Sequence, residues 1–345
     1  MRLSWITAVV LGFTIGASTL QGVPTRRKMR PDMTIYQGTA ADHDFNGDKY
    51  GDFLFRDTKT GSLEAVFQVG THTTGNLHLG TLAQSEVIEG FGDFDGDGIA
   101  DLVVRDTGNG EVKLWLVSES GVKKTPVRTL APGFRIAGVA DFDGDGDRDL
   151  LARNQETNST IMWLMRGPAF ESEAKIDSKL TTPNIGQPVY ASATISIGGV
   201  GDIDGDGRAD IVWVDHKTTH LLISFMDGGH VRAGIDQGPV TAGYLLEAVA
   251  DFDGDRKADL FFRNKEKGKW VLSLLDGSQI KKMSEIDTDE KGALAAVCDL
   301  NFDGTQDLVF QESDGSQHWF VMKGTTYFRG SMPAMKTDQQ LIGAR

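Results

Sequence analysis

The sequence contains a single cysteine, Cys298, and only nine prolines among its 345 residues. One cysteine cannot form an intrachain disulfide, so other interactions must stabilise the fold. Positive charge is also scarce, because 35 Lys and Arg residues stand against 49 Asp and Glu residues, which gives a net charge of −14. No basic patch is available to neutralise phosphates, and nucleic acid is therefore not an expected partner.

The sequence also lacks the short motifs of common catalytic sites. No G-x-S-x-G nucleophile motif and no phosphate-binding glycine loop stands out. The seven histidines share no motif; they are His43, His72, His78, His216, His220, His230 and His318. His216 and His220 are four residues apart, but they fall in a predicted hairpin and no Glu follows His216, so the zinc-protease pattern is absent. We therefore predict no catalytic residue.

What the sequence does contain is a nine-residue acidic segment, close to D-x-D-G-D-G-x-x-D, that occurs six times. The copies begin at Asp44, Asp93, Asp141, Asp202, Asp251 and Asp299, at intervals of 49, 48, 61, 49 and 48 residues. This regular spacing indicates a repeating structural unit of about 48 residues.

The second copy shows the chemistry that the segment favours. From Asp93 onwards, carboxylates stand at positions 1, 3, 5 and 9, and glycines stand at positions 4 and 6. Calcium takes about 6–8 oxygen ligands from such flexible loops, whereas packed carboxylates without a cation repel one another. Glycine allows the left-handed backbone of a tight loop. Up to six Ca²⁺ ions are therefore expected, and they would reduce the net charge to about −2.

The predicted ligands are the side chains at positions 1, 3, 5 and 9 and the backbone carbonyl at position 7. Copy by copy they are Asp44, Asn46, Asp48, Tyr50 and Asp52; Asp93, Asp95, Asp97, Ile99 and Asp101; Asp141, Asp143, Asp145, Asp147 and Asp149; Asp202, Asp204, Asp206, Arg208 and Asp210; Asp251, Asp253, Asp255, Lys257 and Asp259; and Asp299, Asn301, Asp303, Thr305 and Asp307. We expect weaker binding in the first and sixth copies, where Asn occupies position 3. The sixth copy also has Phe302 in place of a glycine.

An EF-hand is excluded by the sequence that follows each copy. The EF-hand loop ends in a bidentate Glu at position 12 and is flanked by helices. Position 12 is Val104, Trp213 or Phe262 in three of these copies, and the flanking segments are rich in β-forming residues.

The residues around each copy predict four strands per repeat. A short apolar run such as 102–104 follows the acidic segment, a turn comes next, and a second β-type run follows, often with a tryptophan that we expect in the core between sheets. Before copies two to six lies a strand of small residues, such as 136–140, and Cys298 occupies one of these small positions, where we expect it to be buried. No amphipathic helix interrupts the series, so the pattern predicts an all-β propeller of four-stranded blades.

The number of predicted blades is six. A seventh acidic copy would begin near residue 347, and the last apolar segment, 341–344, has no copy after it. We expect this segment to pair with the first blade and close the ring. Seven blades remain an alternative if the terminal segments build an irregular blade. The surplus in the 61-residue interval predicts a long connection within residues 166–198.

The acidic copies carry a family resemblance. The segment 92–98, Gly-Asp-Phe-Asp-Gly-Asp-Gly, and its counterparts resemble the FG-GAP or VCBS repeats of integrin alpha-chain β-propellers and of many secreted microbial proteins. The resemblance covers about residues 34–345. It implies calcium in the loops between the first two strands of each blade and a role in adhesion or carbohydrate recognition. The same scaffold also serves lyases, lipases and toxin complexes, so the resemblance does not identify a ligand.

The N-terminus resembles a targeting segment. An apolar stretch from Ile6 to about Leu20 is too short for a comfortable membrane span, and basic residues follow it. We predict a signal peptide over residues 1–22, a basic linker over 23–33 and the propeller over 34–345. A retained membrane anchor is the alternative, because basic residues after an apolar segment tend to stay cytoplasmic.

These observations together predict a secreted, periplasmic or cell-surface calcium-binding propeller without a stable membrane span after cleavage. We expect an adhesion or binding module whose partner is a glycan or an extracellular protein. Tyr190, Asn184 and Tyr244 are candidate glycan contacts. The alternatives are a polysaccharide-degrading or lipid-cleaving enzyme and a structural subunit of a larger assembly.

Overall fold

The computed structural model describes residues 43–70, 72–176, 195–264, 266–288, 290–332 and 339–342. All regular structure in these segments is β-strand, and the strands form six antiparallel sheets of four strands each. The expected all-β propeller is confirmed. No helix in these segments has the length and apolar content needed to cross a membrane.

Each sheet is one blade, named here in chain order. Blade 1 contains β1 Phe53–Asp57, β2 Ser62–Val69 and β3 His72–Thr81, together with β24 Gln339–Ile342; blade 2 contains β4 Glu86–Gly92, β5 Asp101–Asp106, β6 Glu111–Ser118 and β7 Gly121–Thr129; blade 3 contains β8 Phe134–Ala140, β9 Asp149–Asn154, β10 Thr160–Arg166 and β11 Ala169–Ile176; blade 4 contains β12 Ile195–Gly201, β13 Asp210–Asp215, β14 His220–Asp227 and β15 His230–Pro239; blade 5 contains β16 Tyr244–Ala250, β17 Asp259–Asn264, β18 Lys269–Asp276 and β19 Gln279–Ile286; blade 6 contains β20 Ala293–Cys298, β21 Asp307–Gln311, β22 Gln317–Lys323 and β23 Thr326–Met332.

The ring closes through the last strand of the chain. Strand β24 pairs antiparallel with β1, so that Leu341 lies opposite Phe55 and Ile342 lies opposite Leu54. The predicted pairing of the final segment with the first blade is confirmed. The seven-blade alternative is wrong for the described residues, because six sheets account for every strand in them.

Small residues allow the innermost strands to approach one another at the axis. From β4 through β8, β12, β16 and β20 to β24, each innermost strand contacts the next. A Cβ atom added at Gly90 would lie 2.4 Å from Val139 Cγ2, and one added at Gly138 would lie 2.7 Å from Val200 Cγ1. Such distances are shorter than real Cβ contacts, so glycine is required where a valine of the next blade packs.

The core is built between neighbouring blades. Trp115, Trp163, Trp270 and Trp319 are at most 2 % exposed, which confirms the expected packing of the tryptophans. Cys298 is buried as predicted. Burial raises the pKa of its thiol, and the negative charges of nearby aspartates raise the pKa further. The thiol therefore stays protonated and unreactive.

Several predictions lie outside the described residues. These are the signal peptide, the basic linker and the first residues of the propeller, which fall within 1–42. The long connection is predicted within 166–198, where β11 ends at Ile176 and β12 begins at Ile195, and the residues between these strands are not described.

Candidate metal-binding loops

The six acidic segments occupy equivalent places in the six blades. In blades 2 to 6 the segment connects the first strand to the second, as the resemblance implied, and in blade 1 it leads directly into β1. We number these loops after their blades. All six therefore sit in the same structural setting, which the repeat spacing predicted.

The backbone of each loop is left-handed at two positions. Positions 4 and 6 have positive φ in all six loops, and nine of these twelve positions are glycine. The exceptions are Lys49, Arg256 and Phe302, at φ angles of 76°, 69° and 57°. The expected need for left-handed geometry is confirmed, and side chains at these three positions carry strain.

The first aspartate of each loop shapes this turn. In loop 2, Gly96 N–H donates to Asp93 Oδ1 at 2.7 Å and Gly98 N–H donates to Asp93 Oδ2 at 2.9 Å. The bond from position 6 to the first aspartate recurs in all six loops. The hydrogen bonds between the first carboxylate and the loop backbone thus hold the turn in shape without an ion.

The ninth residue of each loop is an aspartate with two backbone partners. In loop 2, Phe94 N–H donates to Asp101 Oδ2 at 2.9 Å and Val117 N–H donates to Oδ1 at 2.7 Å. The same pair of bonds recurs in every loop. This residue therefore ties the loop to the third strand of its blade, a role that the sequence pattern did not reveal.

Burial raises the pKa of these ninth-position aspartates. The pKa rises to about 8 for Asp52, Asp101, Asp149, Asp259 and Asp307 and to about 7 for Asp210. The hydrogen bonds from the backbone lower the pKa, but neighbouring carboxylates add to the increase. A carboxyl group in this setting ionises readily only if a cation offsets the cost of burial.

In four loops the carboxylates converge as a cation would require. Loops 2 and 3 bring together positions 1, 3 and 9, whereas loops 4 and 5 bring together positions 1, 3 and 5, in each case with three oxygens within 4.8 Å of one another. Opposite oxygens around one Ca²⁺ ion are separated by about twice the bond length of about 2.3–2.6 Å. The donor set fits a hard cation. Position 7 stays a predicted ligand.

Loops 1 and 6 contain an asparagine at position 3 that bonds within its own loop. Asn46 Nδ2 donates to Asp48 Oδ2 at 3.0 Å, and Asn301 Nδ2 donates to Asp303 Oδ2 at 2.9 Å. In both loops the amide engages the carboxylate at position 5. The expected weaker binding stays a prediction, and this internal bond gives it a further physical reason.

Loops 4 and 5 each receive a basic side chain from the outermost strand. Arg232 Nη2 lies 2.7 Å from Asp204 Oδ2 and 2.9 Å from Asp206 Oδ2. Lys281 Nζ lies 2.9 Å from Asp253 Oδ2 and 3.2 Å from Asp255 Oδ2. Arg232 lies in a bulge of β15, and Lys281 lies in the equivalent bulge of β19. The sequence analysis missed this contact, although each base follows the first aspartate of its loop by the same 30 residues.

Hydrogen bonds link neighbouring loops around the ring. The N–H at position 8 donates to the carbonyl of the first aspartate of the preceding loop at five junctions. The donors are Gly51, Ala100, Ala209, Ala258 and Gln306, and the acceptors are Asp299, Asp44, Asp141, Asp202 and Asp251, at 2.6–2.8 Å. The backbones of neighbouring loops are thereby joined directly at these five junctions.

A second cluster of ionisable groups lies in blade 6. Glu290, Glu312 and His318 offer ligand atoms within 4.8 Å of one another. His318 Nδ1 lies 2.8 Å from Glu290 Oε2, and Arg329 Nη2 lies 3.3 Å from the same oxygen. Burial raises the pKa of Glu290, but hydrogen bonds from Gly292, Glu312 and His318 outweigh it and hold the pKa below its usual value. Together with Arg329, these residues pair with one another in a polar network. They are far apart in the sequence, so the sequence pattern did not predict this cluster.

The other sequence candidates do not form a common site. His216 Nε2 bonds Ser196 Oγ at 2.7 Å, whereas His220 Nδ1 bonds Asp236 at 2.8 Å. His216 follows the last residue of β13 and His220 begins β14, so both flank the turn of the expected hairpin. Tyr244 lines a cleft between blades 4 and 5. Tyr190 and Asn184 lie outside the described residues.

Comparison with known proteins agrees with this architecture. The family model of the FG-GAP-like repeat matches residues 93–152, 141–213 and 202–262. Each match runs from one acidic loop to the second strand of the next blade. No curated protein matches the sequence.

Two solved structures share the fold at low sequence identity. A chain from a nidogen/laminin complex is 14% identical, with a TM-score of 0.56, over 85% of this chain and 96% of that chain. A chain from the Tc holotoxin pore of Photorhabdus luminescens is 17% identical, with a TM-score of 0.55, over 87% of this chain but only 15% of that chain. The matched repeats and the six equivalent blades place this chain among the β-propellers built of FG-GAP-like repeats.

Proposed function

We propose that this chain is a calcium-stabilised propeller that acts outside the cytoplasm as a binding module for an extracellular protein or a glycan. The observation that carries the proposal is the convergence of three carboxylate oxygens in each of four equivalent loops. Carboxylate and carbonyl oxygens in a flexible loop are the ligands that calcium prefers. When bound, calcium would supply the positive charge that offsets the repulsion between these converging carboxylates.

The role proposed for calcium is structural. The ninth-position aspartates hold loop and third strand together in every blade, and hydrogen bonds join loop to loop at five junctions. An ion that fixes one loop therefore also favours the bound geometry of the next. Calcium binding across the ring should be positively cooperative, since part of the ordering cost is shared between neighbours.

The proposed location follows from the calcium chemistry and the N-terminal sequence. Extracellular calcium modules work at dissociation constants of about 10⁻⁴–10⁻³ M, which suit the calcium level outside cells. The apolar segment near residues 6–20 has the pattern of a signal peptide. Secretion or surface display would supply both the ion and the partner.

The proposed role in binding is supported by the fold and by the absence of catalytic motifs. One chain of similar fold comes from a nidogen/laminin complex and another from a toxin complex, so this architecture occurs in protein assemblies. His216 and His220, the two histidines that are four residues apart, bond to different side chains, Ser196 and Asp236. We assign no reaction to the chain.

The proposal is tested with the protein recovered after expression of the full chain. The protein is applied to arrays of glycans and extracellular-matrix proteins in about 1 mM Ca²⁺, the weak end of the range for extracellular modules, and again in excess chelator. We expect export of the chain and a ligand that is bound in calcium and released by the chelator. Retention in the cytoplasm, or equal binding in both buffers, would contradict the proposal. Asp95→Ala in loop 2 serves as the matched variant, and it should bind the same ligand more weakly at limiting calcium.

A further inference from the structure

A cleft between blades 4 and 5 opens to solvent on one side and has a volume of about 290 Å³. Its inner walls are apolar and come from the facing surfaces of β14, β17 and β18, including Leu221, Leu260, Phe262, Val271 and Leu275. The polar residues Gln237, Thr241, Tyr244 and Lys267 also line the cleft, and none of them is buried. Ile280 and Met283 also line the cleft and are 51% and 57% exposed, so they form its solvent-facing side. Among the residues that the structure describes, no aspartate lines the cleft, so it differs chemically from the acidic loops.

One polar residue that lines the cleft, Ser273, is buried among the apolar inner walls. Ser273 lies between Val271 and Leu275 on β18, and its cross-strand neighbours are Leu260 and Met283. The residue is 1% exposed, and Oγ has no hydrogen-bond partner among the described residues. A buried hydroxyl without a partner costs about 1–3 kcal/mol. A partner that brings the missing hydrogen bond would recover that cost.

The other blades show what normally occupies this place. The equivalent position lies two residues before the strand residue whose N–H donates to the ninth-position aspartate. The equivalents of Ser273 are Val66, Trp115, Trp163, Ser224 and Phe320 in blades 1, 2, 3, 4 and 6. In blades 2, 3 and 6 a large aromatic ring therefore fills the space that is open in blade 5.

Blade 4 has the same serine but satisfies it. Ser224 Oγ accepts a hydrogen bond from Trp213 Nε1 at 2.7 Å. The counterpart of Trp213 in blade 5 is Phe262, which lacks an N–H group. Blade 5 thus has the same serine as blade 4 but lacks the indole N–H that bonds to it there. It also lacks the tryptophan that stands in place of the serine in blades 2 and 3.

We propose that this cleft binds a small aromatic molecule that carries an N–H or O–H donor, of which indole is the simplest example, with the donor directed at Ser273 Oγ. A dry cavity of about 150 Å³ is enough to hold benzene, so the 290 Å³ available here accommodates a bicyclic ring. The apolar inner walls favour an uncharged ring, because a charge beside Ser273 would be buried without a partner, whereas the charged lining residue, Lys267, is exposed. The bound ring would reproduce between blades 4 and 5 the contact that Trp213 makes with Ser224.

The test compares indole with indene, a hydrocarbon of the same size that lacks the N–H group. Binding to the full chain is measured by calorimetry and by saturation-transfer NMR in calcium buffer. We expect indole to bind about five- to tenfold more tightly than indene, which corresponds to one hydrogen bond. Ser273→Ala should remove this preference, whereas Ser224→Ala, the matched serine of blade 4, should leave it unchanged.

A third variant tests the site by filling it. Ser273→Trp installs the residue that blades 2 and 3 carry at this position, and it should abolish binding of both ligands while the protein keeps its melting transition. Absence of binding to the unaltered protein would overturn the proposal. Indole binding that Ser273→Ala and Ser273→Trp both leave intact would also overturn it. If Ser273→Trp does not fold, the loss of preference in Ser273→Ala decides the question alone.

Discussion

Removal of divalent cations should lower the melting temperature of the chain by about 15–20 °C. At the tight end of the extracellular range, a dissociation constant of about 10⁻⁴ M, calcium at about 10 mM is present at about 100 times its dissociation constant and stabilises the native state by about 2.7 kcal/mol per site. Four loops contain three converged carboxylates, so the combined contribution is about 11 kcal/mol, which is comparable to the whole stability of many proteins. For a chain of this length, each kcal/mol corresponds to slightly less than about 2 °C.

The structure explains why the metal-free protein should be weak. The ninth-position aspartate in each loop is fully buried beside other carboxylates, and burial raises its pKa to about 8 in five of the six loops. Without a cation, ionisation of these groups at neutral pH opposes folding. Bound calcium would reverse this contribution, because a divalent cation favours the ionised carboxylates.

The assay is thermal unfolding followed by circular dichroism. Protein freed of metal on a chelating resin is melted alone, after addition of calcium, and after addition of magnesium at equal ionic strength. We expect calcium to restore the full transition and magnesium to restore less, because magnesium dehydrates reluctantly and demands stricter geometry. A melting temperature that differs by less than about 3 °C between metal-free and calcium-loaded protein would refute the reasoning, since that difference equals only about 2 kcal/mol.

Three further predictions concern single features of the loops. First, metal-free protein should melt at a lower temperature at pH 8.5 than at pH 6.5. With a raised pKa, the native aspartates hold protons that the unfolded chain has lost, so stability falls as pH rises towards about 8. Burial lowers the pKa of His43 to about 4, so it is neutral in the native state over this window, and deprotonation of its unfolded form adds only about 0.4 kcal/mol of stability as pH rises. The opposite order of melting temperatures would contradict the assignment. Second, Lys281→Ala should strengthen calcium binding to loop 5 by about tenfold in a calcium titration, because it removes a positive charge beside a divalent ion. The control is Lys282→Ala, which removes a base bonded to Thr325 and should leave calcium binding unchanged. Third, Lys49→Gly should be more stable than Lys49→Ala by about 1 kcal/mol in chemical denaturation, since only glycine relieves the left-handed strain at φ 76°; equal stability would show that the backbone is unstrained there.

The sequence predicted the architecture well because one constraint is repeated six times. The interval between acidic segments defines the blade, and small residues before each segment mark the innermost strand. Closure of the ring also followed from the sequence, since the last apolar segment had no acidic loop after it and β24 does pair with β1. Repeats amplify signals that would be ambiguous in a single copy.

The features that the sequence did not reveal depend on contacts between blades or between distant strands. The bases that reach loops 4 and 5 come from a bulge in the outermost strand, and a bulge is not readable from side-chain alternation. The two backbone bonds of Asp101 likewise join residues 7 and 16 positions apart. The missing hydrogen bond of Ser273 Oγ depends on the residues that face it across the strands and from the next blade, and the sequence alone does not give these contacts.

Calcium content tests the central claim most directly. Native mass spectrometry of the purified protein, exchanged into about 1 mM Ca²⁺ at the weak end of the range for extracellular modules, counts the ions bound per chain. At least four Ca²⁺ ions are predicted, one for each loop with converged carboxylates, and loops 1 and 6 should fill last. A folded chain that carries no calcium under these conditions would contradict the account.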